Sequence, residues 1–459
     1  MISRKNWISI LINLVTFLCT FLTSLIIVRH IGSSKFYSNF IVFTSYGATF
    51  LFLSGALKET ILYCNKENPQ FLYAVNKKIL SQKRRIVYAL VILFILVLFF
   101  LNLLIRDSFI SLLICLHIFS FYISETIQFT SVITDQVRDV INFRLFTSVF
   151  VLIITWIALE LGFNTILYFN ILFNVLIPLF LYLRINQGKE PKTLENPMIR
   201  FDYKIFIFIA FQYLIAASFI FLERFLLSKS TIDLNSYSIS LGLTQNLSAI
   251  FLSYLTIEFY SKFVKVEFKE LIIIKNCFLA FLILLPFCMI GTTQNEPFVK
   301  QIFESKENTI SFVSDLSLSL GITIWAIPAM GIQTLLGRYL MSMNKINVWI
   351  IASSVSSMIG IILILAAFLS DNHSYLRYCW MITQNISLFI MLVLGLKNST
   401  FFFKFNAFFY AFILLFFIGL VTPYLFLKNN LFFNSVEIIL YLIFSLPVLM
   451  IYYKKSKYY

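Results

Sequence analysis

Long apolar blocks constrain this chain more than any other feature of its sequence. A block of about 20 apolar residues is what a helix needs to cross the hydrocarbon core of a bilayer. The first block (7–28) is followed by a second and by no small-residue cleavage site, so we expect it to be a retained helix. Of the 459 residues, 60% are hydrophobic and only 12% are charged, unlike a soluble domain. The chain is therefore predicted to be an all-α polytopic membrane protein with almost no soluble domain.

About fourteen blocks are long enough to cross the membrane, although twelve is the alternative count. The predicted spans are 7–28, 36–63, 86–105, 109–133, 141–160, 164–183, 203–227, 233–260, 270–290, 311–341, 347–369, 374–396, 405–426 and 434–453. Several exceed the bilayer thickness, which indicates tilted helices or helices that extend beyond the bilayer.

The distribution of Lys and Arg predicts the orientation. With the N-terminus in the cytoplasm, 25 basic residues fall in cytoplasmic segments and nine in outer segments. Basic residues favour the cytoplasmic side, so both termini are predicted to lie there. The same asymmetry explains the net charge of +15 without a nucleic-acid partner, although basic loops can contact anionic lipid head groups.

The motifs that usually identify an enzyme are missing. The sequence holds no P-loop, no H-E-x-x-H, no G-x-S-x-G and no metal-spaced Cys/His cluster, and its only histidines are His30, His117 and His373. The longest outer loop (291–311) is short. We therefore predict a protein that is not an enzyme, with no cofactor and no metal. The polar stretch 184–204 is interpreted as a cytoplasmic linker between two halves.

Polar stripes follow several of the apolar helices. The fourth span carries the longest, at steps of three or four residues: His117, Ser120, Ser124, Gln128, Ser131, Asp135 and Arg138, with Glu125 at its border. It extends about 31 Å at 1.5 Å per residue, close to the hydrocarbon thickness. Shorter stripes lie on the first span (Ser9, Asn13, Thr16, Thr20, Ser24), the sixth (Asn170, Asn174, Pro178), the eighth (Tyr237, Ser240, Thr244, Ser248, beside Gln245 and Asn246) and the twelfth (Arg377, Trp380, Gln384, Ser387).

Two interpretations of these stripes stay open. Hydroxyl and small residues allow membrane helices to pack closely and to hydrogen-bond. Polar residues in a span also mark a water-filled path, which the full-width fourth stripe favours. Five striped helices suggest a central polar cavity. Pro178, Pro286 and Pro328 fall within spans and can kink them.

Ionisable residues inside or near the spans are the candidates for function. Glu125 lies in mid-helix and is the hardest to explain as an anchor. Arg residues at helix ends can instead be snorkelling anchors, and Lys58 with Glu59 can be a structural pair.

Three segments resemble the polysaccharide flippases, of the O-antigen translocase type, in the multidrug/oligosaccharidyl-lipid/polysaccharide exporter (MOP) superfamily. "RHIGSSKFYSNF", from Arg29, is similar to the family's Arg-x-Leu-Gly-Pro-x-x-Phe-Gly turn, with Ser in place of Pro and Tyr37–Ser38 in place of Phe-Gly. "ERFLLSKSTIDLNSYSISLGL", from Glu223, is similar to its Asp-Arg, short outer loop and Tyr-led eighth helix. "GRYLMSMNKINVWIIASSVSSMIGIILI", from Gly337, is similar to its tenth-to-eleventh helix turn with Asn-Lys.

The resemblance implies two pseudo-equivalent six-helix bundles around a central cavity, residues 1–183 and 205–397, joined by 184–204 and followed by an additional helix pair and basic tail at 398–459. It implies alternating-access transport of an undecaprenyl-diphosphate-linked sugar or oligosaccharide across a bacterial inner membrane. The partners would be that substrate and membrane lipids, with a glycan polymerase and a chain-length regulator as further candidates.

The chemistry of such a substrate then assigns hypothetical roles. Cations bind a diphosphate and polar groups bind sugar hydroxyls. The candidates are Arg29, Lys58, Arg138, Arg224, Arg338, Arg377, His117, Ser124, Gln128, Asn170, Asn174, Gln245 and Gln384. Glu59, Glu125 and Glu223 are candidates for ion coupling.

Two alternatives remain. A cation-coupled drug exporter of the same superfamily would share the fold, but export of a cationic drug favours an acidic cavity, and here cations are as numerous as carboxylates near the spans. A membrane glycan polymerase or transferase would need a larger outer loop. A pure scaffold is disfavoured by the full-width stripe of the fourth span.

Overall fold

The structure, a computed structural model, describes a large part of the chain. The described residues are 4–35, 37–38, 40–41, 52–64, 95, 98–99, 111–112, 115–116, 137–164, 166, 201–245, 277, 288, 292, 295–304, 308, 310–370 and 373–396. Within these ranges the regular structure is entirely helical. The elements are α1 (Arg4–Ile31), α2 (Phe52–Cys64), α3 (Val137–Glu160), α4 (Tyr203–Leu227), α5 (residues 234–245), α6 (Asn295–Phe303), α7 (Ile310–Thr323), α8 (Ile327–Ser342), α9 (Ile346–Leu369) and α10 (Leu376–Leu396).

Five of the described helical segments are long and apolar enough to cross a membrane. They are Leu14–Ile31, Tyr203–Leu227, Ile310–Met341, Ile346–Leu369 and His373–Gly395. A helix satisfies its own backbone donors and acceptors, which is what a chain needs in hydrocarbon. The prediction of an all-α membrane protein is confirmed, and five of the predicted spans fall on helical segments of membrane length.

The helix count stays a prediction. The spans at 86–105, 109–133, 164–183, 270–290, 405–426 and 434–453 lie wholly or almost wholly outside the described residues. The polar linker at 184–204 lies there too, apart from its last four residues.

The chain divides into two compact units, Met1–Phe225 and Leu226–Tyr459. In the first unit, α1 packs along α3. An apolar cluster joins their ends, with Ile31, Leu159 and Ile166 buried at its centre. Next to this cluster, His30 Nε2 lies 3.5 Å from Glu160 Oε1. The other contact of note in this unit is between α2 and α4, where a Cβ at Gly55 would lie 3.1 Å from the Tyr213 ring.

In the second unit, the predicted span 311–341 is not one regular helix. A 3₁₀ turn, Ile324–Ala326, separates α7 from α8, and Pro328 lies in the first turn of α8. Proline has no N–H to donate to the carbonyl four residues earlier, here Ile324, and its ring crowds that carbonyl. The Ile327 N–H donates to Ile324 O instead. A kink at Pro328 stays a prediction, and Pro178 and Pro286 lie outside the described residues.

Two helices end in the same motif. In α3 the Gly162 N–H donates to Leu159 O at 2.9 Å and the Phe163 N–H donates to Ala158 O at 2.8 Å. Gly162 has a φ of 78°, the left-handed conformation that this Schellman motif requires. Glycine adopts that conformation without a steric penalty.

At the end of α8, Asn344 occupies the equivalent position with a φ of 60°. The Asn344 N–H donates to Met341 O at 3.4 Å and the Lys345 N–H donates to Leu340 O at 2.8 Å. The Asn of the "NK" pair that the sequence singles out is therefore a helix terminator, because Asn tolerates the left-handed conformation better than most residues.

Candidate functional site

A partly buried ion pair lies where α7 and α10 meet in the second unit. Arg377 Nη2 donates to Asp315 Oδ1 at 3.0 Å. Arg377 is 8% exposed, whereas the Asp315 side chain is 34% exposed. A charge is buried at a high cost unless it is paired, so the two helices are tied together at this point. The predicted topology puts this end of the unit at the outer face of the membrane.

A second carboxylate, Asp233, borders the ion pair. Its backbone N–H donates to Asp315 Oδ2 at 3.4 Å. Its side chain caps α5, accepting the N–H groups of Asn235 and Ser236 at 3.3 and 3.2 Å. The cluster therefore holds two carboxylates and one guanidinium.

His373 lies at the same end of the unit and contacts both Thr231 and Phe368. The Thr231 N–H donates to His373 Nδ1 at 3.3 Å, and the His373 ring stacks on Phe368 with centroids 5.2 Å apart. The loop between α4 and α5 is thus fastened to the start of α10 at Thr231 and to α7 at Asp233.

Below this cluster, the polar stripe of α5 faces α7. Thr244 Oγ1 and Thr323 Oγ1 are 3.0 Å apart and both residues are fully buried. Together with the bond from Asp233 to Asp315, this contact fixes the two helices at both ends of the described part of α5. The eighth-span stripe therefore packs between helices here, which is the first of its two interpretations.

The partner stripe on α7 is a feature that the sequence analysis missed. Ser311, Asp315, Ser319 and Thr323 follow one another at four-residue steps and share one side of the helix. The four-residue spacing of these polar residues was visible in the sequence. An acidic residue near the start of a span is, however, equally typical of the membrane interface, so the spacing did not identify a functional stripe.

The break between α7 and α8 is supported by polar side chains. Cys288 Sγ donates to Ile324 O at 3.2 Å, the carbonyl that Pro328 leaves without its helical donor. Trp325 Nε1 donates to Thr292 Oγ1 at 2.8 Å. The hydrogen bond between Cys288 and Ile324 could not be predicted from the sequence, because spacing along one helix does not show which residue of another helix lies opposite.

The opposite end of the unit is tied by backbone carbonyls. Lys345 Nζ donates to Gly395 O at 3.2 Å at this end, and nearer the middle of α8 and α10 Gln333 Nε2 donates to the backbone carbonyl of Gln384. A cation near the last carbonyls of α10 complements the helix dipole. The absence of a side chain at Gly395 allows close approach, since a Cβ there would lie 3.0 Å from Leu340 Cδ2.

The first unit contains four predicted site residues with described side chains. Arg29 is exposed at the last turn of α1, whereas Glu59 in α2 and Glu223 in α4 are 5% and 0% exposed. Arg224 lies near enough to Tyr37 for an electrostatic interaction. In the second unit, Gln245 is exposed and Gln384 is half-buried.

The remaining predicted residues are placed only in part. Lys58, Arg138 and Arg338 lie on α2, α3 and α8, and their side chains are outside the description. The others lie outside the described residues altogether, namely His117, Ser124, Glu125, Gln128, Asn170 and Asn174. Their roles stay predictions. Within the described ranges no group of three His, Cys, Asp or Glu could hold a metal ion.

Comparison with known proteins places this architecture in a structural class. No family model matches the chain, and no curated protein matches its sequence. Among solved structures it is similar to the lipid II flippase MurJ in an inward closed conformation, with a TM-score of 0.56 and 16% identity, over 96% of this chain and 99% of that one. It is also similar to an inward-facing multidrug resistance MATE family transporter of the MOP superfamily, with a TM-score of 0.52 and 12% identity, over 84% of this chain and 96% of that one.

These likenesses define the fold. The chain is a multi-pass helical membrane protein whose fold is similar to those of these two transporters. The more specific resemblance to O-antigen flippases stays a prediction from the three sequence segments.

Proposed function

We propose that this protein is a flippase that moves an undecaprenyl-diphosphate-linked sugar or oligosaccharide from the cytoplasmic to the outer leaflet by alternating access. The observation that carries the proposal is the similarity in fold to a lipid II flippase over 96% of this chain and 99% of that protein. The O-antigen-type segments in the sequence support the same class of substrate.

The charges of the described helices suit an anionic substrate. A diphosphate head group is bound best by guanidinium and ammonium groups. Arg224 and Arg377 are half-buried and buried on membrane-length helices, and each has an acidic residue nearby, Glu223 in sequence and Asp315 in space. Burying an arginine charge within a helix bundle costs free energy. A role in binding the substrate would explain why the protein keeps these arginines there.

Two buried carboxylates are the candidates for ion coupling among the described residues. Glu59 and Glu223 are almost fully removed from the surface on α2 and α4. Ionisable residues inside spans are costly and are often proton or ion carriers. We expect Glu59→Gln and Glu223→Gln to slow transport without lowering the amount of folded protein. The matched control is Glu160→Gln, since Glu160 is exposed at the end of α3.

The test of the proposed function is deletion of the gene in its own host. Lipid extracts are then analysed by mass spectrometry for lipid-linked glycans, and the cell surface is analysed for the corresponding polysaccharide. We expect the lipid-linked intermediate to accumulate and the surface glycan to fall, and the wild-type gene to restore both. Unchanged surface glycan with no trapped intermediate would contradict the proposal.

One observation favours a second candidate, a cation-coupled drug exporter. The chain is similar in fold to a multidrug resistance MATE family transporter, with a TM-score of 0.52. Drug sensitivity of the deletion strain separates the candidates: hypersensitivity to cationic drugs with normal surface glycan would favour the exporter. A glycan polymerase would reveal itself through polymerisation by the purified protein.

A further inference from the structure

The guanidinium of Arg377 is not saturated by its ion pair. Only Nη2 reaches Asp315, at 3.0 Å, although a guanidinium can present two parallel N–H groups to one carboxylate. Nε is buried and has no hydrogen-bond partner among the described residues. A buried donor without an acceptor is costly, which indicates that the site suits a further acceptor oxygen.

A second unused group lies on the same stripe of α7. Ser319 is 0% exposed, and its hydroxyl has no partner in the described part of the chain. It follows Asp315 by one turn, which is about 6 Å along the helix axis. A buried cation and a buried hydroxyl are thus available one turn apart, at the end of the unit where α7 meets α10.

The carboxylate that pairs with Arg377 is partly exposed. Asp315 is about one-third exposed, and among the described residues its second oxygen accepts only the long 3.4 Å bond from the Asp233 N–H. The side chain of Asp233 adds another negative charge beside it. A doubly charged oxyanion would offer Arg377 more acceptor oxygens than Asp315 does.

We propose that Arg377 binds a phosphate or diphosphate oxyanion in exchange for Asp315, with the Ser319 hydroxyl as a second donor. The inference rests on the proposed function only for the identity of that anion, the diphosphate of the lipid-linked glycan. Asp315 is then a competitor that releases the anion, since it re-forms the ion pair when the head group leaves. In the predicted topology this exchange takes place at the outer end, where the substrate is released.

The experiment measures binding to purified full-length protein in nanodiscs of zwitterionic lipid, so that anionic lipids do not compete. The probes are undecaprenyl diphosphate, inorganic pyrophosphate and inorganic phosphate. The variants are Arg377→Gln, Arg377→Lys, Asp315→Asn and Ser319→Ala. The control is Lys300→Gln, which removes an exposed cation on α6 that pairs with Glu296.

The expected signature is a change in affinity of opposite sign at the two ends of the ion pair. Arg377→Gln is expected to weaken binding of undecaprenyl diphosphate by roughly tenfold or more, and Arg377→Lys to recover part of the loss, since Lys lacks the planar fork. Asp315→Asn is expected to strengthen binding by about tenfold and to slow transport, because the competitor is gone. Ser319→Ala is expected to weaken binding by about threefold, and Lys300→Gln to leave it unchanged.

A purely structural ion pair predicts a different result. Asp315→Asn would then lower the melting temperature without any gain in affinity, and that outcome overturns the proposal. If Arg377→Gln does not fold, Asp315→Asn and Ser319→Ala still decide the matter. Binding of pyrophosphate with the same pattern assigns the site to the diphosphate group itself. Binding of the lipid alone, unaffected by every variant, also overturns the proposal.

Failure of the inference and failure of the proposed function are distinguishable. Wild-type affinity in all four variants, in a protein whose deletion traps lipid-linked glycan, removes the exchange site and leaves the flippase. In the opposite pattern, Asp315→Asn binds more tightly but deletion of the gene traps no intermediate. That result would support the oxyanion site and contradict the proposal that the substrate is a lipid-linked glycan.

Discussion

The polar stripes of α1 and of α5 have the same spacing but different surroundings. On α1 the hydroxyls of Thr16, Thr20 and Ser24 donate to the backbone carbonyl four residues earlier, at 2.8 to 3.1 Å, and Thr20 is exposed. On α5 the Thr244 hydroxyl is fully buried against Thr323 of α7.

The spacing of a polar stripe therefore does not show whether its hydroxyls bond within their own helix or to a neighbouring helix. A hydroxyl that donates to a carbonyl of its own helix needs no partner on another helix, so it does not determine which neighbour packs against that face. A hydroxyl that bonds across helices fixes their register, and it needs a complementary stripe on the partner. The second unit has such a partner in α7, and its polar bonds between helices continue through Asp315, Trp325 and Lys345.

The largest expected difference between the units is that between the Arg377–Asp315 ion pair and the His30–Glu160 contact. Arg377→Gln leaves Asp315 without its cation, and we expect it to lower the free energy of unfolding by about 2 kcal/mol, less than for a fully buried pair because Asp315 is partly exposed. His30→Gln breaks the more exposed contact with Glu160 and is expected to cost at most about 0.5 kcal/mol. Thermal unfolding in detergent measures both. Equal losses would contradict the contrast.

The two helix ends with a positive φ give the next comparison. Asn344→Val places a β-branched residue at a φ of 60° and is expected to cost about 1–3 kcal/mol, whereas Asn344→Gly is expected to be tolerated. Gly162→Ala has open space around the new Cβ, so only its φ of 78° is strained, with an expected cost of about 1 kcal/mol. A neutral Asn344→Val would show that the turn between α8 and α9 is not fixed by this motif.

The helix caps should differ by a smaller amount. Asp233→Ala removes the acceptor for two N–H groups and is expected to cost about 1 kcal/mol, while Asp233→Asn keeps the cap. In the first unit the Ser34 hydroxyl accepts the Tyr37 N–H at 3.2 Å, and since that hydroxyl is neutral, Ser34→Ala should cost less than removing the charged Asp233 cap.

The smallest expected effect is a coupling energy between two hydroxyls, and it tests the difference between the stripes of α1 and α5 directly. A double-mutant cycle of Thr244→Val and Thr323→Val should give a coupling energy of about 0.6 kcal/mol, typical of hydrogen bonds between membrane helices. The matched cycle of Thr16→Val and Thr20→Val should give none, because each hydroxyl bonds to a backbone carbonyl. Coupling in the second cycle and not the first would reverse the assignment.

The spans could be predicted from sequence because each is a local property. Apolar length alone placed Tyr203–Leu227 and Ile346–Leu369 to within a residue of the predicted bounds. The break at Pro328 was also local, because proline acts on its own turn. The pairing of Arg377 with Asp315, 62 residues earlier, could not be predicted, because spacing tells which face a residue shares and not which helix lies opposite.

Reconstituted vesicles provide the most direct test of the proposal that this protein moves a lipid-linked diphosphate between leaflets. The substrate is an undecaprenyl-diphosphate-linked sugar, and a membrane-impermeant reagent reports how much of it is exposed on the outer surface. The flippase proposal predicts that the intact protein makes the pools of both leaflets accessible, and that Arg377→Gln does so more slowly. Accessibility limited to the outer-leaflet pool, in vesicles that contain folded protein and the ion gradient, would contradict it.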